Sequence, residues 1–269
     1  MHGILCLRST LIRLPLSNSG WNLGDQGMWC KQTLFETNAQ IPLLVFVPWL
    51  PQSHGQRVAA LVEAVDIYPS LTDLVGISHT IQDWDELEGD SFLPLLLNPA
   101  VPAASWKLAA FTQHPRCNGT AAIPTDLPCK GLTNMAGRCS TGQLPDCKCS
   151  LPPQDYPTAN GCVNQNATDF AAMGYSIRTQ HWRYTRWMKW QGVATPPHSG
   201  LDGGRAVWDE VLGEELYSHS VGEQCCGFSE HENLAAEPAH QADKARLATK
   251  LKAGWRAARP GAKTRGSAG

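Results

Sequence analysis

Apolar positions in the first hundred residues follow two different spacings, and each spacing predicts a different element. Residues 10–16 and 43–47 are short apolar runs of strand length, and the second is bounded by prolines, which fit strand ends. From 58 to 75 the apolar residues recur every three or four positions, and Gly76 follows them. This spacing predicts one amphipathic helix over 58–75, with Pro69 as the point where it could break.

The second half of the chain has the pattern of a small antiparallel sheet. Strands are predicted at 107–112, 174–178, 183–190 and 214–219, and a short polar stretch between the second and third has hairpin spacing. Apolar residues at four-residue spacing predict a helix over 234–258 that can lie across this sheet. Arg178 and Arg183 are expected to be charges on the sheet surface.

Composition and charge exclude several classes of protein. The chain has 269 residues, 42% of them hydrophobic, and a net charge of −2, which argues against a disordered chain and a nucleic-acid-binding polyelectrolyte. No stretch of about 20 apolar residues is free of charge, so no membrane span is predicted. Residues 244–269 carry eight Lys or Arg and no Asp or Glu, but a basic end is more typical of a solvated surface than of a polyanion site.

Six of the ten cysteines lie within 46 consecutive residues. The segment around them, 117–168, is rich in Pro, Gly, Asn and Thr and has little hydrophobic periodicity, so it is expected to depend on disulfides. Fifteen pairings of six cysteines remain open. Zinc is a weaker alternative, because one residue separates the closest pair instead of the two to four typical of zinc ligands. The six are Cys117, Cys129, Cys139, Cys147, Cys149 and Cys162.

Two Asn-x-Thr sequons lie near the ends of this cysteine-rich insert. Their asparagines, Asn118 and Asn166, are candidate glycosylation sites. Together with the cysteines they predict the secretory pathway, with a lysosomal or extracellular destination. Residues 1–16 lack the basic start and the small-residue cleavage site of a signal peptide, so the mature protein is not expected to begin at Met1.

Residues 20–36 read Gly-Trp-Asn-Leu-Gly-Asp-Gln-Gly-Met-Trp-Cys-Lys-Gln-Thr-Leu-Phe-Glu. They resemble the type I sulfatase segment Asp-His-Gly-Trp-x-Leu-Gly-Glu-His-Gly-x-Trp-x-Lys, and are most similar to the iduronate-2-sulfatase branch. The similarity continues in order through 65–71, 113–116, 173–179 and 214–217, and covers most of residues 17–240 outside the cysteine-rich insert. It implies an alkaline-phosphatase-like α/β fold, hydrolysis of a sulfate ester on a sulfated sugar or glycosaminoglycan, and a calcium ion.

The resemblance also predicts a domain organisation. Residues 1–104 correspond to the C-terminal end of the large sulfatase catalytic domain, with its parallel or mixed sheet. Residues 105–258 correspond to a small antiparallel subdomain with a C-terminal helix and with the insert at 117–168. Residues 259–269 are expected to be a disordered tail.

The sequence does not contain the motifs that the N-terminal half of that family supplies. These are Cys-x-Pro-Ser-Arg, whose cysteine becomes the formylglycine nucleophile, and an Asp-Asp pair for calcium. The chain is therefore expected to be the C-terminal portion of a sulfatase, inactive alone, and no catalytic residue is assigned in it. Two alternatives stay open: a non-catalytic remnant that binds sulfated glycans, and a secreted cysteine-rich interaction module.

Five residues are candidates for the site by this resemblance. Lys31 corresponds to a lysine that binds the sulfate, and an ammonium suits a tetrahedral oxyanion. His114 and Arg116 correspond to a stretch near the substrate cleft. Asn18 and Ser19 stand where the family has metal-ligating Asp and His, so calcium binding here is expected to be degraded. The expected partners are a sulfated saccharide and the N-terminal half of the sulfatase, with no nucleic acid and no membrane span.

Overall fold

The computed structural model describes nine stretches of the chain, which are 11–17, 19–23, 29–31, 33–82, 84, 87–117, 166–193, 203–219 and 230–259. The chain divides into two compact units. Unit 1 comprises 1–17, 42–111 and 252–269, and unit 2 comprises 18–41 and 112–251. The domain boundaries expected after residues 104 and 258 stay predictions. Among the described residues, no helix has both the length and the apolar character needed to cross a bilayer.

The longest regular elements lie wholly or mostly in unit 2. The α-helices are α1 (Glu36–Ala39), α2 (Ile67–Leu74), α3 (Leu93–Leu97) and α4 (Gln241–Ala253). The strands are β1 (Asn22–Leu23), β2 (Trp29–Cys30), β3 (Ala110–Cys117), β4 (Phe170–Arg178), β5 (Trp182–Gln191) and β6 (Arg205–Ser218). Single 3-10 turns occur at Pro51–Ser53, Ala64–Asp66, Ser78–Thr80, Ala103–Ser105, Ala167–Asp169, Pro238–His240 and Trp255–Ala258.

The two apolar runs at the start of unit 1 pair with each other, but only through two isolated antiparallel bridges. These join Arg13 to Phe46 and Leu16 to Leu43. Leu44 N–H also donates to the carbonyl oxygen of Pro15, at 3.0 Å. The segments are thus extended, as the sequence predicts, and the structure shows that they lie side by side without forming a continuous ladder.

The helix expected over 58–75 is wrong in its first half. Residues 58–63 are not helical, and α2 begins only at Ile67. A capping box begins the 3-10 turn Ala64–Asp66 that leads directly into α2, because the side chains of Glu63 and Asp66 each accept a hydrogen bond from the other's backbone N–H. The apolar spacing upstream instead reflects an extended segment packed on the core. Pro69 lies in the first turn of α2, where its missing N–H costs nothing, so it does not break the helix.

The core of unit 1 combines an apolar cluster with a buried ion network. Lys107 Nζ lies 2.9 Å from Glu63 Oε2, 2.6 Å from Asp66 Oδ1 and 3.7 Å from Asp90 Oδ2. Burial lowers the pKa of the Lys107 ammonium, but the carboxylates of Glu63 and Asp66 outweigh burial and raise it. The apolar cluster consists of Val47, Leu74, Phe92, Leu95, Leu96 and Trp106.

Unit 2 is organised around a four-stranded sheet in the order β3-β4-β5-β6. The pairs β4–β5 and β5–β6 are antiparallel, which confirms the predicted hairpin between the second and third strands. Thr179 N–H closes that hairpin by donating to the Trp182 carbonyl oxygen at 2.8 Å. Strand β6 begins at Arg205, nine residues earlier than predicted, and its register with β5 shifts around Met188.

The C-terminal helix lies on one face of this sheet, as expected. Leu247 and Leu251 of α4 are buried, and Lys244 Nζ lies 3.2 Å from Glu214 Oε2 on β6. Just before α4, the ring of His240 meets that of Trp182 with the centroids 5.2 Å apart. The helix is shorter than the predicted 234–258 and ends before Gly254, whose φ of 80° suits glycine. The opposite face of the sheet carries residues 33–36, which belong to the candidate site.

Candidate functional site

Lys31 lies in a closed loop of unit 2. It follows β2, which pairs with β1 in the register Asn22 to Cys30 and Leu23 to Trp29. The ends of the loop meet where Gly20 N–H donates to the Asn38 carbonyl oxygen at 2.9 Å. A β-carbon at Gly20 would lie 1.9 Å from the Thr37 carbonyl oxygen, so this approach requires glycine.

Asn22 stabilises the loop from inside. Its side chain is fully buried, and Oδ1 accepts hydrogen bonds from Thr37 Oγ1 and Asn38 Nδ2, both at 2.5 Å. Its Nδ2 donates to Thr33 Oγ1 at 3.4 Å. The segments on either side of Lys31 are therefore held to each other. Lys31 itself is half-buried, and within the described part of the chain its ammonium makes no hydrogen bond or ion pair.

A cluster of buried charges attaches this loop to the sheet. Glu36 Oε2 lies 3.0 Å from Arg178 Nε and also pairs with Arg183 Nη2. Arg183 Nε lies 2.6 Å from Glu230 Oε1, and His219 Nε2 lies 2.7 Å from the same oxygen. Glu36 N–H donates to Glu230 Oε2 at 2.6 Å. We call Glu36, Arg178, Arg183, His219 and Glu230 the buried ion cluster.

The position of the two arginines corrects the expectation that they are surface charges. Arg183 is 2% exposed, and the side chain of Arg178 is 12% exposed. They lie opposite each other across the β4–β5 hairpin and share the face that packs on residues 33–36. Their neighbours on that face, Ser176 and Thr185, are also buried and hydrogen-bond to each other at 2.9 Å. Polar alternation along a strand does not show which face is covered, so the sequence alone misled here.

The carboxyl groups of the buried ion cluster stay ionised. Burial alone raises the pKa of Glu36, but the guanidiniums of Arg183 and Arg178 outweigh it and the pKa is lowered. Burial likewise raises the pKa of Glu230. The Arg183 charge and the His219 hydrogen bond outweigh burial, so the pKa of Glu230 is also lowered. Two carboxylates and two guanidiniums therefore balance, which makes burial of all four tolerable.

The buried ion cluster also contains three side chains of metal-ligand type. In the described part of the chain, Glu36, His219 and Glu230 are the only such group whose ligand atoms lie within 4.8 Å of one another. Arg183 Nε and Nη2 already bind both carboxylates. A cation placed there would face two guanidiniums at close range. The arrangement fits an ion-pair network and does not fit a metal site.

His114 and Arg116 lie on β3, two residues apart and so on the same face of the strand. The Arg116 guanidinium lies over the Trp187 ring, 4.9 Å from its centroid. Its Nη1 is buried and has no hydrogen-bond partner within the described residues. The charge that acts on it is Glu215, which accepts a hydrogen bond from Trp187 Nε1 at 2.9 Å.

Burial acts against the negative charge of Glu215. It is deeply buried, and burial raises the pKa of its carboxyl, although the Trp187 hydrogen bond and Arg116 act in the other direction. A raised pKa means that the site disfavours a full negative charge on this carboxyl. Arg116 is therefore a partly buried cation whose Nη1 has no hydrogen-bond partner among the described residues.

The structure joins some of the predicted site residues and leaves others apart. It brings His114 and Arg116 onto one face of β3, and no hydrogen bond, ion pair or ring contact joins Lys31 to them in the described residues. Trp187 contacts Arg116, and the charge of Glu215 acts on it. The sequence indicated only that both residues belong to strands, and nothing in it pointed to a role at the site. Asn166 is exposed just before β4. Asn18, Asn118 and most of the cysteine-rich insert lie outside the described residues.

The predicted calcium positions do not fit a calcium ion. Ser19 offers a neutral hydroxyl, and its neighbour in the expected pair, Asn18, offers an amide and not a carboxylate. Calcium takes six to eight oxygen ligands, and carboxylates give tight sites their affinity. We therefore derive no step through calcium from this chain.

Comparison with known proteins reveals similarity to one family. The chain is 27% identical over 216 residues to iduronate 2-sulfatase of Homo sapiens, covering 67% of this chain and 32% of that protein. It is 35% identical over 112 residues to arylsulfatase K of Gallus gallus, covering 39% of this chain and 20% of that protein. No family model matches the chain.

Two solved structures share the fold. One is a protein in complex with its substrate D-glucosamine-2-N,6-O-disulfate, at a TM-score of 0.51 and 16% identity over 93% of this chain and 35% of that one. The other is described as a sulfatase from Bacteroides thetaiotaomicron, also at 0.51 and 16%, over 90% of this chain and 35% of that one. The chain is therefore similar to the sulfatases in sequence and in fold.

The similarity to sulfatases confirms the predicted resemblance and the alkaline-phosphatase-like fold class. The match to iduronate 2-sulfatase covers two thirds of the chain, in agreement with the ordered motifs that carried the prediction. The chain spans about a third of the length of iduronate 2-sulfatase and of the two solved structures. What a whole sulfatase does is therefore proposed for this chain and not transferred to it.

Proposed function

We propose that this chain is the C-terminal portion of a sulfatase that hydrolyses sulfate esters on a sulfated sugar or glycosaminoglycan. Its own contribution is to bind anionic groups of the substrate, because the nucleophile motif is not in its sequence. The similarity to iduronate 2-sulfatase and arylsulfatase K supports the reaction class. The substrate of one structural neighbour, a disulfated glucosamine, supports the substrate class.

The buried guanidinium of Arg116 is the main support for the binding role. A guanidinium binds a sulfate or carboxylate through two parallel N–H donors, and here Nη1 is buried and unpaired within the described residues. A buried donor without an acceptor costs free energy that an incoming oxyanion would recover. Trp187 lies below the guanidinium and fixes its plane.

Lys31 and His114 complete the proposed set of substrate-binding residues. His114 lies on the same face of β3 as Arg116 and adds an imidazole donor. Lys31 has an ammonium with no internal partner in the described residues, and a point charge suits a tetrahedral sulfate. Arg116 and Lys31 together supply two positive charges, which matches a sugar that carries two anionic groups.

The binding role predicts a specific loss when the fork geometry of Arg116 is removed. We expect Arg116→Lys to weaken binding of D-glucosamine-2-N,6-O-disulfate by about tenfold, because lysine keeps the charge but not the paired donors. Arg205→Lys is the matched control, since Arg205 is exposed on β6, where its Nε donates a hydrogen bond to Gln191 Oε1 at 3.2 Å. Isothermal titration calorimetry measures both affinities. Equal affinities of Arg116→Lys and the wild type would contradict the proposal.

The nucleophile and the calcium are proposed to come from an N-terminal half of the same sulfatase. Exposed apolar side chains on the bridged segments of unit 1, at Leu11, Leu16, Leu44 and Phe46, support a covering partner there. The test is to read the transcript upstream of Met1. An in-frame extension with Cys-x-Pro-Ser-Arg and Asp-Asp is the expected result. A stop codon before such an extension would instead favour the non-catalytic glycan-binding protein.

A secretory, lysosomal or extracellular location is proposed on the cysteines and the two sequons. Asn166 is exposed, which an oligosaccharide acceptor requires. Expression in a secretory host followed by enzymatic removal of N-glycans is expected to lower the mass of the wild type. Asn166→Gln is expected to remove one glycan's share of that mass change. A wild type whose mass does not change would exclude glycosylation at both sequons.

A further inference from the structure

We propose that Glu36 is a positioning residue, which holds the loop of Lys31 on the face of the sheet so that the ammonium is presented to a sulfated ligand. This inference rests on the proposed binding function. Glu36 does not touch the ligand in this proposal. It acts through Lys31, five residues earlier in the chain.

The first observation is that three separate parts of unit 2 bind Glu36. Its carboxylate pairs with Arg178 on β4 and Arg183 on β5, and its backbone N–H donates to Glu230 Oε2 at 2.6 Å. Two strands and a third segment therefore fix one residue in position and orientation. All the polar groups involved are buried or nearly so.

The second observation is that the same loop has an apolar attachment next to Arg116. A β-carbon at Gly174 on β4 would lie 2.6 Å from Leu34 Cδ1 and 2.7 Å from Trp187 Cζ3. Leu34 and Trp187 therefore share the space above the glycine. Because the Arg116 guanidinium lies over the Trp187 ring, one side chain relates the Lys31 loop to Arg116.

The attachment limits how far Lys31 can move. At most about 17 Å of extended chain separates Lys31 from Glu36, and Leu34 is attached closer still. The other end of the loop is tied at Gly20 and Asn22. A lysine on a loop held at both ends loses less conformational freedom when it binds an anion than a lysine on an unattached loop. Less of the favourable charge interaction is then offset by lost entropy, so the affinity is higher.

A structural role alone does not explain why the attachment is ionic. Burying four charges costs desolvation that well-packed apolar side chains would avoid. An ion pair with two strands is directional, whereas an apolar contact tolerates sliding. A directional attachment is what a loop that presents a charge to a ligand requires.

A double-mutant cycle tests the proposal, because positioning must act through Lys31. The affinity of the full chain for D-glucosamine-2-N,6-O-disulfate is measured for wild type, Glu36→Gln, Lys31→Met and the double variant. We expect Glu36→Gln to weaken binding about fivefold when Lys31 is present and less than about twofold when it is Met. Glu63→Gln is the matched control, since it removes a charge from the Lys107 ion network of unit 1, and it is expected to leave the affinity unchanged.

Three results would overturn the inference, and they separate it from the proposed function. Unchanged affinity of Glu36→Gln, or an equal loss with and without Lys31, would make Glu36 purely structural while leaving the binding function intact. A wild type that does not bind the sugar would overturn the proposed function and this inference with it. If Glu36→Gln fails to fold, Arg178→Gln removes one of the two ion pairs and is expected to show the same dependence on Lys31.

Discussion

The replacement Arg183→Met tests how much the buried ion cluster contributes to the stability of unit 2. Arg183 is 2% exposed and donates to Glu230 Oε1 at 2.6 Å, to Glu36 and to Ser176 Oγ at 3.3 Å. Methionine fills much of the same volume and removes all three donors. Two buried carboxylates then lose their main counter-charge.

The size of the effect follows from what remains around the carboxylates. Breaking a buried ion pair by removing one partner costs about 3–5 kcal/mol. Arg178 still pairs with Glu36, and His219 still contacts Glu230. We therefore expect the free energy of unfolding to fall by about 3 kcal/mol, at the lower end of that range.

Urea unfolding at pH 7, followed by tryptophan fluorescence and circular dichroism, measures this loss. Lys189→Met is the control, because the Lys189–Glu210 pair is about half exposed at both ends, with side-chain exposures of 54% and 52%. An exposed pair contributes less than about 1 kcal/mol. If Arg183→Met costs no more than Lys189→Met, the buried ion cluster does not stabilise the fold as argued.

The same variant has an expected pH dependence. The folded-state pKa values of Glu36 and Glu230 lie below the ordinary 4.5, so their stabilisation is present above that pH and is lost as the pH falls through the folded values. Without Arg183, burial raises the pKa of both carboxyls, so they protonate at higher pH. The stability gap between wild type and variant should therefore narrow from pH 7 towards acid. A constant gap would contradict this.

Three further replacements test other parts of the structure. Gly174→Ala should cost about 1–3 kcal/mol in urea unfolding, because its β-carbon would lie 2.6 Å from Leu34 Cδ1; an unchanged midpoint would contradict the packing. Lys107→Met should cost about 3–5 kcal/mol in unit 1, since Asp66 loses a partner at 2.6 Å. Because the pKa of the Lys107 ammonium is raised above its ordinary 10.5, its contribution to stability is present below pH 10.5 and is lost only as the pH rises through the folded pKa. A wild-type stability that falls between pH 8 and 10 because of this group would contradict the reasoning. Tyr217→Phe should not reduce the 295 nm absorbance change at pH 10, because burial raises the pKa of Tyr217 well above 10.0; a reduced change would refute its burial.

The local elements of unit 2 were predictable because one physical pattern carries each of them. The aromatic alternation of β4 and β5, with polar residues between them, predicted the hairpin that the register confirms. The four-residue spacing that includes Leu247 and Leu251 predicted the helix on the sheet. The first half of the helix predicted over 58–75 failed because an extended segment that packs on a core can show helical spacing by coincidence.

The candidate site was predictable only in part. Lys31, His114 and Arg116 were found because they stand in short motifs that resemble those of a family. Glu36 stands at the end of the same motif, but nothing local shows that its carboxylate is buried. Trp187 was read as one aromatic residue of a strand, and its contact with Arg116 depends on how β3 joins the sheet.

The amino-acid sequence by itself determined the strands and helix of unit 2, the fold class, the similarity to sulfatases and the lack of a nucleophile motif. Only the tertiary structure decided that Arg183 is buried, that Glu36 and Glu230 both pair with it, and that Arg116 lies over the Trp187 ring. Periodicity reports interactions between near neighbours in the chain. Arg183 meets Glu36 across 147 positions and Glu230 across 47, so their pairing depends on chain packing that no local pattern encodes.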